Sequence, residues 1–311
     1  MVTAHVERTP RRVLPRAFAA VSARRALGSV PPPALVLAGI VSVQVGAALA
    51  KELFTVIGAT GAVSLRLGFA AVVLLLIWRP SFRLDRRALV TVIAYGALLA
   101  AMNLTFYQAI SRLPLGLAVT VEFLGPLTVA LVGSRRWLDA VWAILAGGGV
   151  VLLTAGGGVI SWSGLVFALL AALCWGLYIP MGAALGARTS GGGGLALGMT
   201  FGAVLAMPIG IVQSGAALFH PMALLAGLGV ALLSSVVPYS VELEALRKIP
   251  PRVFGVLMSM EPAVAAIAGL IVLHQDLRPG QWAAIALVIA ASVGATYTAP
   301  RTPSAPADIT P

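Results

Sequence analysis

One carboxylate, Glu122, stands in the otherwise apolar stretch 114–126, PLGLAVTVEFLGP. The same proline spacing returns 136 positions later (250 − 114 and 262 − 126) in 250–262, PPRVFGVLMSMEP, again with one acid, Glu261. A carboxylate in such surroundings costs several kcal/mol unless it is protonated, paired or facing a wet cavity, so acids there default to ligand binding or proton transfer. Glu122 can hold a cationic group or exchange a proton. Glu261 has a competing duty, because Pro262 follows it and frees backbone groups that an acid can serve. The offset does not align the two acids, since Glu122 matches Met258 and Glu261 matches Gly125, so they need not share a role.

Gln44 and Lys51 are seven residues apart, which on a helix is about 10 Å along one face. That face can line a pore. The competing reading for Lys51 is an ammonium that snorkels to the membrane interface beside Glu52. Arg66, in the middle of an apolar run, is expected to pair with Glu52 or another buried acid. Asn103 and Tyr107 share a helix face and offer neutral hydrogen bonds to a polar solute. Trp175 and Tyr178 are more often packing residues or interface anchors than ligands. Tyr239 and Glu242 fall near a helix end, where an acid reaches water, and Glu244 and Lys248 read as an interfacial ion pair one turn apart. The candidate ligand contacts are Gln44, Lys51, Asn103, Tyr107, Glu122, Trp175 and Tyr239, and the candidate proton carriers are Glu122 and Glu261.

Catalysis and cofactor binding find little support. There is no phosphate-binding glycine loop, no Ser/His/Asp arrangement and no metal-ligand spacing, and His220 and His274 fall in expected loops. Cys174 is the single cysteine, so an intrachain disulfide is impossible; it reads as a small core residue. No cofactor, no metal and no enzymatic activity are expected.

These residues must be positioned by membrane-spanning helices. Of 311 residues, 59% are hydrophobic and 10% charged, where a soluble domain has roughly a quarter charged. The net charge of +11 sits in clusters between apolar runs and gives no reason to expect nucleic acid. At about 20 residues per span, the chain divides into ten helices near 33–55, 59–78, 88–110, 115–134, 138–156, 161–184, 193–213, 221–246, 253–273 and 278–298. Prolines 31–33 open the first, Gly58 and Gly61 bracket the first turn, and glycines 191–194 form a flexible joint after the sixth. Residues 1–32 read as a cytoplasmic basic arm and 299–311 as a cytoplasmic tail.

Cytoplasmic loops retain Lys and Arg. With the N-terminus inside, the inner segments hold the six arginines of the basic arm, then Arg79, Arg83, Arg86 and Arg87, then Arg135, Arg136 and Arg188, then Arg247, Lys248 and Arg252, and finally Arg301. The outer loops hold Arg112 and Arg278. Both termini are expected in the cytoplasm. The turn at 111–114 is then external and its counterpart at 247–250 internal, so the halves 33–156 and 161–298 are inverted repeats of five helices each. The offset also aligns Ala109 with Ala245 and Arg112 with Lys248, in support of duplication. The expected fold is an all-α polytopic membrane protein, and inverted repeats around a midplane site are a recurrent secondary-transporter design.

The segments SVQVGAALAKELF (42–54), MNLTFYQAISRLPLGLAVTVEFLGPLTVAL (102–131), VPYSVELEAL (237–246) and FGVLMSMEPAVAAIAGLI (254–271) resemble the EamA-type transporters of the drug/metabolite transporter superfamily, among them bacterial exporters of threonine and homoserine. The likeness covers 35–298. It implies ten helices in two repeats, an inner-membrane location, and efflux of amino acids or similar metabolites coupled to protons. The basic arm and the glycine run at 191–194 depart from it. Charge complementarity suits such a solute: Glu122 for an ammonium, and Gln44, Asn103 and Lys51 for a carboxylate. The alternatives are export of another small metabolite or a drug-like amine and, more remotely, a membrane receptor or scaffold that moves nothing.

Overall fold

The structure is a computed structural model and describes residues 30–132, 136–155, 161–189, 192–246 and 248–298. The expected basic arm apart from 30–32, the tail 299–311, Gly191 of the glycine joint and the Glu244 side chain of the expected ion pair lie outside the described residues.

In a bilayer each backbone N–H and C=O must be paired inside the protein, which makes the helix the default for an apolar segment. Eight helical stretches are long and apolar enough to cross a membrane, and two shorter apolar ones, Leu115–Leu131 and Trp137–Leu152, lie between Ile110 and Trp162. Among the described residues there is no strand. In chain order the helices are α1 (Pro32–Glu52), α2 (Phe54–Trp78), α3 (Arg86–Ile110), α4 (Leu115–Glu122), α5 (Leu124–Leu131), α6 (Trp137–Ala155) and α7 (Trp162–Gly186). They continue with α8 (Gly193–Ser214), α9 (Pro221–Ala231), α10 (Val237–Leu246), α11 (Pro251–Met258), α12 (Glu261–Leu273) and α13 (Pro279–Thr298).

Three expected spans are interrupted. The span 115–134 is α4 and α5, 253–273 is α11 and α12, and 221–246 is α9 and α10 joined by one π turn, Leu232–Val236. Proline accounts for each break. Lacking an N–H, Pro126 leaves the carbonyl of Glu122 without its helical donor, Pro262 that of Met258, and Pro238 that of Ser234. Accordingly α4 ends at Glu122, α11 ends at Met258, and the π turn contains Ser234. The first two breaks keep the 136-residue offset of the prolines that cause them (258 − 122). The first turn also differs from expectation: only Leu53 separates α1 from α2, and Gly58 lies inside α2 at φ 69°. That conformation costs glycine little and other residues more.

Helix packing follows a definite pattern. α2 packs on α8 and α9; α3 on α7 and α8; α6 on α13; α4 and α5 on α7; α1 on α9, α10, α11 and α12; and α4 on α12. The two ends of the bundle are identified by contacts. At one end Leu35 and Val36 of α1 cluster with Val241, Ala245 and Ile249, and the Trp142 indole N–H donates to Thr298 Oγ1 at 3.1 Å. This is the terminus end, where α1 begins and α13 finishes. At the opposite end Lys51 Nζ donates to the Leu113 carbonyl at 2.9 Å, the Leu115 N–H donates to Gln275 Oε1 at 2.9 Å, and Ser214 Oγ donates to the Ile57 carbonyl at 2.6 Å. Small residues let α4 and α12 touch backbone to backbone there: a methyl group on Gly116 would stand 2.6 Å from Ala266 Cα. Large apolar side chains such as Leu76, Ile144, Val212 and Ile271 are exposed on the outside of the bundle, the surface that lipid covers.

Candidate functional site

A cavity of about 630 Å³ runs from mid-depth to the terminus end. At mid-depth it is lined by Gln44, Arg66, Asn103, Glu122, Ser234 and Glu261. Nearer the terminus end the walls are Ala130 of α5, Ile179 of α7, Glu242 of α10, Phe254 of α11 and Thr296 of α13. The close α4–α12 contact closes the bundle on the other side.

Arg66 is the cation of this cavity, and proline chemistry explains how it is held. The Ser234 carbonyl, which lacks a helical donor because of Pro238, accepts from Arg66 Nη2 at 2.9 Å. Arg66 Nε donates to Ser235 Oγ at 3.3 Å and Nη1 to the Tyr107 hydroxyl at 3.4 Å. The π turn is in turn fastened to α1, where Ser42 Oγ donates to the Leu233 carbonyl at 2.7 Å. A π turn inside a helix is frequent at functional sites because it exposes backbone groups in this way. None of these Arg66 bonds goes to a carboxylate, so neutral acceptors take the place of the expected hydrogen-bonded pairing with Glu52 or another buried acid. The acid that feels the guanidinium charge is Glu122.

Gln44 Nε2 donates to Glu261 Oε1 at 3.0 Å. Glu261 therefore serves a side chain of α1, not the backbone groups freed by Pro262. Buried polar atoms are almost always paired. Among the described residues, Gln44 Oε1, Glu261 Oε2 and Ser234 Oγ are buried with no hydrogen-bond partner. Glu122, the last residue of α4, is also buried and interacts electrostatically with both Glu261 and Arg66.

Asn103 lines the cavity, with its Nδ2 bonded to the Leu99 carbonyl at 2.8 Å. Trp175 also lines it, edge-on to Phe123 with ring centroids 5.6 Å apart, as does Tyr239. Lys51 and Tyr107 stand elsewhere. Lys51 ends on the Leu113 carbonyl near the end of α3, where helix carbonyls lack partners and a cation is favoured. Tyr107 is fully buried behind Arg66, its ring 5.6 Å from the guanidinium carbon, and shares a helix face with Asn103 without reaching the cavity. Several polar cavity residues were not among the candidate contacts: Arg66, Tyr178 and Glu242, which the sequence assigned other duties, and Ser234, Ser292 and Thr296. The available signals were an arginine deep inside an apolar run and a proline four residues after a serine. Nothing in the sequence distinguished Glu242 from an ordinary interfacial acid.

Known proteins resemble the chain in sequence and in fold. Residues 162–297 match the EamA-like transporter family. The threonine/homoserine exporter RhtA of Escherichia coli (strain K12) is 43% identical over 271 residues, 86% of this chain and 92% of that protein. The threonine/homoserine exporter RhtA of Salmonella typhimurium (strain LT2) is 42% identical over 276 residues, 88% of this chain and 93% of that protein. A crystal structure with 18% sequence identity superposes with a TM-score of 0.60, covering 86% of this chain and 97% of that one, and shares the fold.

Proposed function

Because the chain belongs to the EamA-like transporter family, we propose that it exports small amino acids of the threonine and homoserine kind across the bacterial inner membrane, by proton antiport with alternating access. The observation that carries the reading is a one-ended cavity that gathers an arginine and buried carboxylates at mid-depth. Such a cavity suits a solute with both a positive and a negative group, and buried acids suit proton exchange. Gln44, Asn103, Glu122, Trp175 and Tyr239 are the proposed substrate contacts, with Glu122 and Glu261 as the proposed proton carriers.

The packing supports two inverted five-helix units, 33–156 and 161–298, and the family match at 162–297 falls in the second. Counting α4/α5, α9/α10 and α11/α12 as one span each gives ten spans among the described residues. Exchange of each of the first five with the span five later turns α3 on α7 into α9/α10 on α1, and α4/α5 on α7 into α11/α12 on α1. It turns α3 on α8 into α9 on α2, and α2 on α8, α6 on α13 and α4 on α12 into themselves. A bundle so constructed has a counterpart closed at the other end, which is what alternating access requires.

With the arginine-rich segments in the cytoplasm, the terminus end is the cytoplasmic one and the cavity opens inward, where an exporter loads. A cysteine at Ser111 in a Cys174→Ala background is expected to react with an impermeant thiol reagent applied outside intact cells. Reaction only after the membrane is opened would invert the topology. The transport reading is tested by counterflow of labelled threonine and homoserine in proteoliposomes, with export accelerated by an imposed pH gradient. Exchange of organic amines with none of amino acids would move the reading to amine efflux.

A further inference from the structure

The unpartnered atoms at mid-depth are not chemically alike, and they fall into two sets. Gln44 Oε1 and Glu261 Oε2 belong to side chains already joined to each other, and they are acceptors that an ammonium satisfies. Arg66 spends three donor contacts on Ser234, Ser235 and Tyr107, which leaves part of a five-donor guanidinium uncommitted. Ser234 Oγ, on the residue whose carbonyl anchors Arg66, is a further donor without an acceptor. All four residues line the same cavity, and Gln44, Glu261 and Ser234 are each more than nine-tenths buried. The two sets share the mid-depth cavity, and Ser234 Oγ itself lies against the α1 backbone at Gly46.

We infer that this cavity binds the two charged ends of one α-amino acid at separate places: Arg66 and Ser234 Oγ take the carboxylate, and Gln44 Oε1 with Glu261 Oε2 takes the ammonium. The inference rests on the amino-acid export reading and sharpens it. The carboxylate goes to Arg66, not Lys51, and the ammonium to Glu261, not Glu122, so that of the two proposed carriers Glu122 alone is left to carry the proton. A guanidinium suits a carboxylate because it presents paired donors in a fixed plane. Its neutral anchors hold that plane still without consuming its charge. An amine lacking the carboxylate leaves the Arg66 charge buried and unanswered, and an acid lacking the ammonium does the same to Glu261, so each end penalises the wrong ligand.

The test compares three probes on purified full-length protein, followed by tryptophan fluorescence: L-threonine, its methyl ester without the anion, and 3-hydroxybutyrate without the ammonium. Wild type is expected to prefer threonine to each analogue by about tenfold or more, the size of one charged hydrogen-bonded contact. In Arg66→Gln the preference over the ester should collapse while that over the hydroxy acid persists, and in Gln44→Leu the preference over the hydroxy acid should fall while that over the ester persists. A merely structural Arg66 would weaken all three ligands together. Threonine bound no better than its ester by wild type, or an ester preference that survives Arg66→Gln, overturns the clamp while leaving amino-acid export standing. Absence of threonine binding together with absence of threonine counterflow overturns both. Should Arg66→Gln not fold, the wild-type series and Gln44→Leu decide the matter alone.

Discussion

Glu122→Gln protein is expected to exchange labelled threonine across a proteoliposome membrane yet lose acceleration by a pH gradient, whereas Glu261→Gln is expected to lose the exchange itself. Glutamine keeps the shape of the side chain and removes its charge and its exchangeable proton. Glu122 is buried at the end of α4 and lines the cavity together with Arg66, Glu261, Glu242 and Tyr239. In the proposed mechanism, a proton on Glu122 removes a negative charge that favours an ammonium at Glu261 in a medium less polar than water, so each weakens the other's binding. That competition yields antiport, since release of one favours capture of the other. Gradient-driven export by Glu122→Gln should fall about tenfold or more, to the rate of uncoupled exchange. Retention of gradient-driven, pH-dependent export in both single variants and in the double variant would remove the midplane carboxylates from the mechanism and leave only the cavity.

Gly116→Leu should block transport at the other end of the cavity. The backbones of α4 and α12 meet at Gly116 and Ala266, where even a methyl group would stand 2.6 Å from Ala266 Cα. A leucine cannot be accommodated without parting the helices, and overpacking of this kind costs about 1–3 kcal/mol. Closure at the end opposite the termini is therefore what suffers. Export should drop about tenfold or more. In a Cys174→Ala background, a cysteine at the cavity residue Met102 should become reactive toward an impermeant thiol reagent from outside, where the Gly116 protein protects it. Unchanged export together with unchanged protection would show that this contact does not form the seal.

The proposed repeat accounts for the position of this contact. Ala266 in α12 corresponds to Ala130 in α5 by the offset (266 − 130 = 136), and Ala130 lines the open part of the cavity. In the opposite state α5 is expected to close against the start of α11 as α4 now closes against α12. Under the proposed alternating access, rocking of one unit on the other is expected to exchange these two contacts.

Much of this was legible in the chain itself, for physical reasons. Lipid leaves an apolar segment few conformations besides helix, so composition and length gave the membrane class and the spans, and proline spacing exposed the repeated motif. A carboxylate in such a helix must be answered by something, which made Glu122 and Glu261 conspicuous. Even the interruptions of α4/α5 and α11/α12 follow from the missing N–H of Pro126 and Pro262. What the sequence did not contain was the partner of each polar group. Gln44 and Glu261 are 217 residues apart and Arg66 and Ser234 are 168 apart, so only packing decides that they meet. Lys51 and Arg66 illustrate the difference: both are cations near the candidate face, yet one reaches a carbonyl at the bundle end and the other is turned inward by a carbonyl that Pro238 frees. A side chain's chemistry is local, but whether it is spent on the protein's own backbone or kept for a ligand is settled by neighbours that only the tertiary structure supplies.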